Sequence, residues 1–167
     1  PPHTLRRQRQ MCIRDSGVAS GDPTKNKIIL WTKITKTSKN TINVNWQISD
    51  NKNFSNLINL GTAKSYSYND FSVKVDAKIP DKYCGNEIYY RFYVDNIFSI
   101  TGTTKTLPKN DPSNFNIAIC SCSNYPGGFF NAYKEIANDN NIDLVLHLGD
   151  YLYAVSYTHL TLPTKRG

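Results

Sequence analysis

Of the chain's 167 residues, 39% are hydrophobic, and 20 Lys and Arg outnumber 13 Asp and Glu to give a formal charge of +7. No run approaches the roughly 18 apolar residues that a membrane span requires. The basic excess sits at the ends, in Arg6, Arg7, Arg9, Arg14, Lys165 and Arg166 against Asp15; the interior keeps 14 bases and 12 acids and lacks the footprint of a nucleic-acid binder.

The two ends are related to each other at the level of codons. Residues 155–164 can be encoded as GTC TCT TAT ACA CAT CTG ACG CTG CCG ACG, and the reverse complement of that string translates, residue for residue, as residues 6–15. Ten consecutive codons matching in antiparallel order look like translated sequencing-library adapter, a transposase end read inward from both sides of one DNA fragment. Residues 1–16 and 154–167 are therefore expected to be adapter-derived, with Ser16 and Ala154 as junctions, and the interpretable chain is residues 17–153, cut short on its C-terminal side. A signal peptide would lie upstream of Gly17, so residues 1–16 carry no message about secretion. Cys12 leaves with the adapter. The remaining Cys84, Cys120 and Cys122 do not make a disulfide framework, although a single bridge stays open.

From residue 17 to 107 short strands alternate with turn chemistry. Gly21, Asp22, Pro23 and Thr24 read as a turn, because the aspartate bonds local backbone and proline pre-sets φ. Residues 27–34 follow as a β-rich run, and residues 42–49 alternate with Ile42, Val44, Trp46 and Ile48 on one face. Residues 57–65 form a weaker strand in which Gly61 suggests a bulge or strand end. Residues 71–77 alternate again. Residues 87–94 and 98–106 complete the set, joined across Asp95 and Asn96, which favour a hairpin turn. About six strands with one apolar face each need a second sheet to cover them, which predicts a β-sandwich with Trp31 and Trp46 in its core.

Residues 108–113, with Pro108, Pro112 and no apolar periodicity, predict a linker. Past it, Ile117, Ala118 and Ile119 lead into Cys120, Ser121, Cys122 and Ser123. A second apolar run, residues 142–148, leads into Gly149 and Asp150. Between them Phe129, Tyr133 and Ile136 fall at i, i+4 and i+7, which predicts a helix over 129–137. Strand, helix, strand predicts a βαβ unit with parallel strands, apolar throughout because both faces are covered. Ligand-binding groups in such sheets gather at the carboxyl ends of the strands, and these two ends deliver Cys122 and Asp150. A metal centre is the hypothesis this raises.

Residue type alone leaves bland readings open beside that one. Cys122 also fits a buried cysteine packed as a small hydrophobe, and Asp150 a turn or helix cap. Cys120 shares a strand face with Cys122 by period-two counting. His147, inside the apolar strand, reads as a core histidine rather than a ligand. Ser121 and Ser123 have no base placed beside them. Residues 125–128 could offer N–H groups to phosphate but read better as a plain loop.

Gly17-Val18-Ala19-Ser20-Gly21-Asp22-Pro23, Ile29-Leu30-Trp31-Thr32, Tyr89-Tyr90-Arg91-Phe92, Gly102 and Thr106-Leu107-Pro108 resemble the N-terminal domain of PhoD-type alkaline phosphatases. Ala118-Ile119-Cys120-Ser121-Cys122-Ser123 and His147-Leu148-Gly149-Asp150-Tyr151-Leu152-Tyr153 resemble the opening of that family's metallophosphoesterase domain. The resemblance covers residues 17–153. It implies an immunoglobulin-like or fibronectin-like sandwich over 17–107, then at 114–153 the first βαβ unit of a truncated α/β metallophosphoesterase domain. It also implies hydrolysis of phosphate esters outside the cytoplasm at a site with iron and calcium, Cys122 ligating iron and Asp150 bridging metals. The family usually continues with glutamate after the second tyrosine, where this chain has the junction residue Ala154, whose codon shares its first base with glutamate and leaves a native glutamate open. Further ligands would follow residue 153, so this chain alone is expected to be inactive and no catalytic residue is assigned in it. Two other classes stay in play: a non-enzymatic extracellular sandwich that binds a partner, and a thiol-redox protein using a strained Cys120–Cys122 disulfide.

Overall fold

A computed structural model describes residues 17–35, 39–124 and 126–153; the two end segments read as adapter lie outside the described residues. The strands are β1 (Val18–Gly21), β2 (Lys27–Lys33), β3 (Thr41–Ser49), β4 (Leu57–Tyr66), β5 (Ser72–Lys78), β6 (Glu87–Val94), β7 (Ile97–Phe98) and β8 (Gly102–Lys105), then β9 (Ile117–Cys120), the helix α1 (Asn131–Asn138) and β10 (Leu144–His147). The chain divides into two compact units between Asp111 and Pro112.

The first unit is mostly β. One sheet has the order β1-β2-β5; the other runs β4-β3-β6, with β7 and β8 both pairing β6. Strict alternation explains why they face each other. Ile28, Leu30 and Thr32 of β2 and Val73, Val75 and Ala77 of β5 are buried from one side; Ile42, Val44, Trp46 and Ile48 of β3 and Ile88, Tyr90, Phe92 and Val94 of β6 close from the other. Each large side chain so buried contributes about 1.5–3 kcal/mol, and the apolar ones form one continuous core. Val94 pairs with Ile97 across Asp95 and Asn96, both at positive φ (47° and 64°), the geometry of a type I′ hairpin.

Three sequence-based expectations need correction here. Trp31 is not core but 37% exposed: on β2 it alternates with the buried Leu30 and Thr32 and so shares the outer face with Ile29 and Lys33. Gly61 is no bulge; it sits in regular register opposite Trp46, and the irregularity of this strand pair lies at Ile48/Ser49. The expected strand over 98–106 is split into β7 and β8. Between them the Ser99 hydroxyl accepts from Phe92 N–H (3.0 Å) and donates to Ile100 C=O (2.7 Å). Residues 18–21, which sequence reading assigned to no strand, form β1 against β2, and the expected turn follows with Asp22 at φ 50°.

In the second unit β9 and β10 pair in parallel, with Leu144 opposite Ile117 and His147 opposite Cys120. The apolar runs are not covered on both faces: Ile119 remains 63% exposed, and Val145, Leu146 and Leu148 are exposed as well. One helix is the only helical cover this unit holds among the described residues. That helix starts later than its periodicity suggests. Phe130 takes a left-handed conformation (φ 53°) at the N-cap, which leaves Phe129 outside the helix and 91% exposed, so only Tyr133 and Ile136 of the expected stripe are half-buried.

Candidate metal centre

The parallel ladder does not stop where the strands do. Beyond β9 and β10, Leu148 N–H donates to Cys120 C=O (2.9 Å), Cys122 N–H to Gly149 C=O (3.3 Å), Ser123 N–H to Asp150 C=O (3.1 Å) and Tyr153 N–H to Ser123 C=O (2.7 Å). Residues 122–124 and 149–153 thus run side by side past the carboxyl edge. Within them the backbone kinks: Cys122 (φ 59°), Gly149 (φ 112°) and Asp150 (φ 49°) all have positive φ. These bends bring the two sequence-predicted ligands together, with Cys122 Sγ 3.8 Å from Asp150 Oδ2, both residues exposed.

A third donor group joins them. The Tyr153 phenol donates a hydrogen bond to the Asp150 carboxylate, and that bond, followed by partial desolvation and the nearby negative charges of Asp150 and Cys122, pushes its pKa up to about 12. Sequence reasoning passed Tyr153 over. The usable signal was its spacing, three residues after a strand-end Gly-Asp, on the segment that continues beside residues 122–124.

The pair fits a single cation between them. A thiolate at about 2.3 Å and a carboxylate oxygen at about 2.1 Å from a tetrahedral ion would themselves lie about 3.6 Å apart. The donors are also chemically distinct, one soft and one hard. The set is incomplete: among the described residues no group of three or more His, Cys, Asp or Glu side chains is placed to hold a metal ion.

The other candidates fall elsewhere. Cys120 points its thiol at Leu146 C=O (3.7 Å) and, like Cys122 and Cys84, is free, so no Cys120–Cys122 disulfide is formed. His147 is half-buried rather than a fully enclosed core residue. Its ring is satisfied, Nε2 lying 2.8 Å from Tyr133 Oη and Nδ1 accepting from Gly149 N–H at 3.3 Å. Ser123 is buried and hydrogen-bonded to Tyr133, whereas Ser121 is exposed. Residues 126–128 do not run directly into α1, and Gly127 N–H is taken by Asn124 Oδ1 (3.3 Å).

Fold and site together define a two-unit protein, a β-sandwich followed by an α/β segment whose strand ends present a thiol, a carboxylate and a phenol. Comparison with known proteins supplies the particular family: the model of the PhoD-like phosphatase N-terminal domain matches residues 4–108, and that of the PhoD-like phosphatase matches residues 117–166. The chain belongs to the PhoD-like phosphatase family. It is 36% identical over 149 residues to alkaline phosphatase D of Bacillus subtilis (strain 168), covering 82% of this chain and 24% of that protein. It also superposes on a solved structure of PhoD with a TM-score of 0.73 and 34% identity, over 82% of this chain and 27% of the other. The chain thus spans about a quarter of the length of these relatives. No helix among the described residues is long and apolar enough to cross a membrane.

Proposed function

We propose that the parent of this chain is an exported, metal-dependent phosphoesterase acting on phosphate monoesters or diesters, with iron and calcium as its metals and Cys122 and Asp150 among their ligands. The observation that carries this reading is the 3.8 Å approach of Cys122 Sγ to Asp150 Oδ2 at the carboxyl ends of parallel strands, in a chain of phosphatase family. When bound, a metal pair lowers the pKa of a coordinated water and offsets charge on the phosphoryl oxygens. Asp150 has two carboxylate oxygens and can serve both cations. Cys122 offers a soft thiolate that suits iron better than calcium. The Tyr153 O–H donates a hydrogen bond to Asp150 and helps to orient that carboxylate.

In this reading residues 17–107 are the sandwich, 108–113 the linker and 114–153 the start of a metallophosphoesterase domain. Residues 1–16 and 154–167 are adapter, on the strength of the codon complementarity between the two ends. The 167-residue chain by itself is expected to turn over no phosphate ester, since a two-metal site needs more ligands than Cys122 and Asp150.

The test is to recover the uninterrupted gene, purify its product beside the present chain, and assay p-nitrophenyl phosphate and bis-p-nitrophenyl phosphate together with bound iron and calcium. Hydrolysis and stoichiometric iron and calcium are expected only in the longer protein, the present chain holding a single cation weakly through Cys122 and Asp150. A longer protein that binds no metal and hydrolyses neither ester would overturn the proposal. Turnover by the present chain above a metal-free control would overturn its assignment as inactive.

A further inference from the structure

We propose that Tyr133 is a positioning residue whose hydroxyl locks together the two turns carrying Cys122 and Asp150; its functional meaning rests on reading those two as metal ligands. The geometry is a chain of hydrogen bonds with a fixed direction. Gly149 N–H donates to His147 Nδ1 (3.3 Å), so that nitrogen presents its lone pair. In the neutral ring the proton then sits on Nε2, which donates to Tyr133 Oη (2.8 Å). Tyr133 keeps its own proton to give to Ser123 Oγ, with which it is hydrogen-bonded.

The ends of this chain matter most. Gly149 adjoins Asp150, and Ser123 adjoins Cys122. Backbone bonds already link the same two turns, from Cys122 N–H to Gly149 C=O and from Ser123 N–H to Asp150 C=O. The side-chain route through α1 closes a ring with them, so neither turn can shift without breaking bonds in both routes. Tyr133 is itself held in place, stacked on Phe130 (centroids 5.9 Å apart) and on His147 (6.2 Å), while His147 meets the edge of Tyr151 (5.2 Å). Cys122 and Asp150 are exposed and left-handed in backbone, so little packing of their own fixes them. Ligands in such settings depend on outer hydrogen bonds for orientation. A phenylalanine would fill the same volume as Tyr133 and keep the stacking, which makes the hydroxyl the group to remove.

The experiment uses the 167-residue chain with Tyr133→Phe, His147→Asn and Cys122→Ser variants. Amide hydrogen exchange is followed by NMR, and Co(II) alone is titrated while the thiolate-to-cobalt absorption band is recorded. Tyr133→Phe is expected to speed exchange at Gly149 and Ser123 together, with Co(II) affinity about tenfold weaker, the equilibrium effect of losing roughly one hydrogen bond. Amides of β3 and β6 should keep their wild-type rates. His147→Asn retains an acceptor for Gly149 N–H but loses the link to Tyr133. It should therefore spare Gly149. The Tyr133–Ser123 bond survives in that variant, so exchange at Ser123 should rise less than in Tyr133→Phe. Wild-type exchange at both amides in Tyr133→Phe, or change confined to α1, would overturn the lock. Loss of exchange protection with unchanged Co(II) affinity would overturn its positioning role. A wild-type chain without a band that Cys122→Ser abolishes would instead remove the ligand reading, and the exchange data would still decide whether the lock exists.

Discussion

The indole of Trp46 lies on Gly61: a Cβ added to the glycine would sit 2.7 Å from Cζ2 of the ring, and the two residues are cross-strand partners. Tyr90 and Gly102 repeat the arrangement between β6 and β8, with a distance of 2.3 Å to Cζ. In each pair the aromatic ring folds over the strand where its partner has no side chain. Neither glycine has the positive φ that would make backbone freedom its purpose. The space it leaves is what the ring occupies.

Gly61→Ala and Gly102→Ala should therefore each destabilise the sandwich by about 1–3 kcal/mol through overpacking. Gly21→Ala, where nothing lies within 4 Å, should cost far less. Urea unfolding of the three variants is the check, and equal midpoints for all three would contradict the account.

Tyr90 should make the sandwich sensitive to alkali. Burial raises the pKa of its phenol above the ordinary 10, partly countered by a hydrogen bond from Ser20. A group with a raised folded-state pKa contributes its full stability below the unfolded value, near 10, and loses it as pH climbs through the folded one. Wild-type melting temperature is expected to fall above pH 10, more steeply than that of Tyr90→Phe. Parallel curves for the two proteins would rule the mechanism out.

Arg91 holds its guanidinium between two rings, 3.9 Å from the Phe54 centroid and 4.1 Å from that of Phe98, with Nε donating to Gln47 (3.1 Å). A planar, weakly hydrated cation suits that slot and an ammonium does not. Arg91→Lys is expected to lose about 1 kcal/mol, measurable by denaturant titration; full retention of stability would show the stack to be inert.

Residues 17–111 should fold alone, since the continuous apolar core is built within the first unit. Circular dichroism of that fragment is expected to show strand and a cooperative melt. A spectrum of an unfolded chain would contradict this.

In the proposed full-length phosphoesterase Asp150→Ala should remove at least ~3 kcal/mol of transition-state stabilisation, about a hundredfold or more in rate, because on that reading one carboxylate would serve both metals. Cys122→Ser should chiefly lower iron content, a serine hydroxyl being harder and remaining protonated. Hydrolysis rate and metal content of the two variants separate these outcomes, and a wild-type rate in folded Asp150→Ala would reject the carboxylate's role.

Much of this architecture could be read from pattern because β3, β5 and β6 bury alternate residues against an opposing sheet, and Asp95-Asn96 carries its own hairpin instruction. Trp31 misled because a large aromatic was assigned to the core by type, although period-two counting places it opposite Leu30 and Thr32. Gly61 misled for the converse reason: its role depends on a ring supplied by another strand, which no local pattern encodes. At the site, strand-end logic pointed to Asp150 and to the thiols, and the family resemblance chose Cys122 over Cys120, but the approach of Tyr153 depends on positive φ at Asp150. Composition does not announce a left-handed aspartate. The Ser123–Tyr133–His147 bonds were hidden too, because they join residues from three separate elements.

The positive φ values at Cys122 and Asp150 have a bearing on engineering. Glycine adopts that conformation without strain, whereas a residue with a Cβ gives up about 1 kcal/mol or somewhat more, aspartate being the more tolerant of the two. A campaign selecting only for thermal tolerance would favour glycine at both positions and reward it with a higher melting temperature. Each such gain would erase one of the proposed donors, so on the metal-centre reading heat resistance and metal capture pull these two positions in opposite directions.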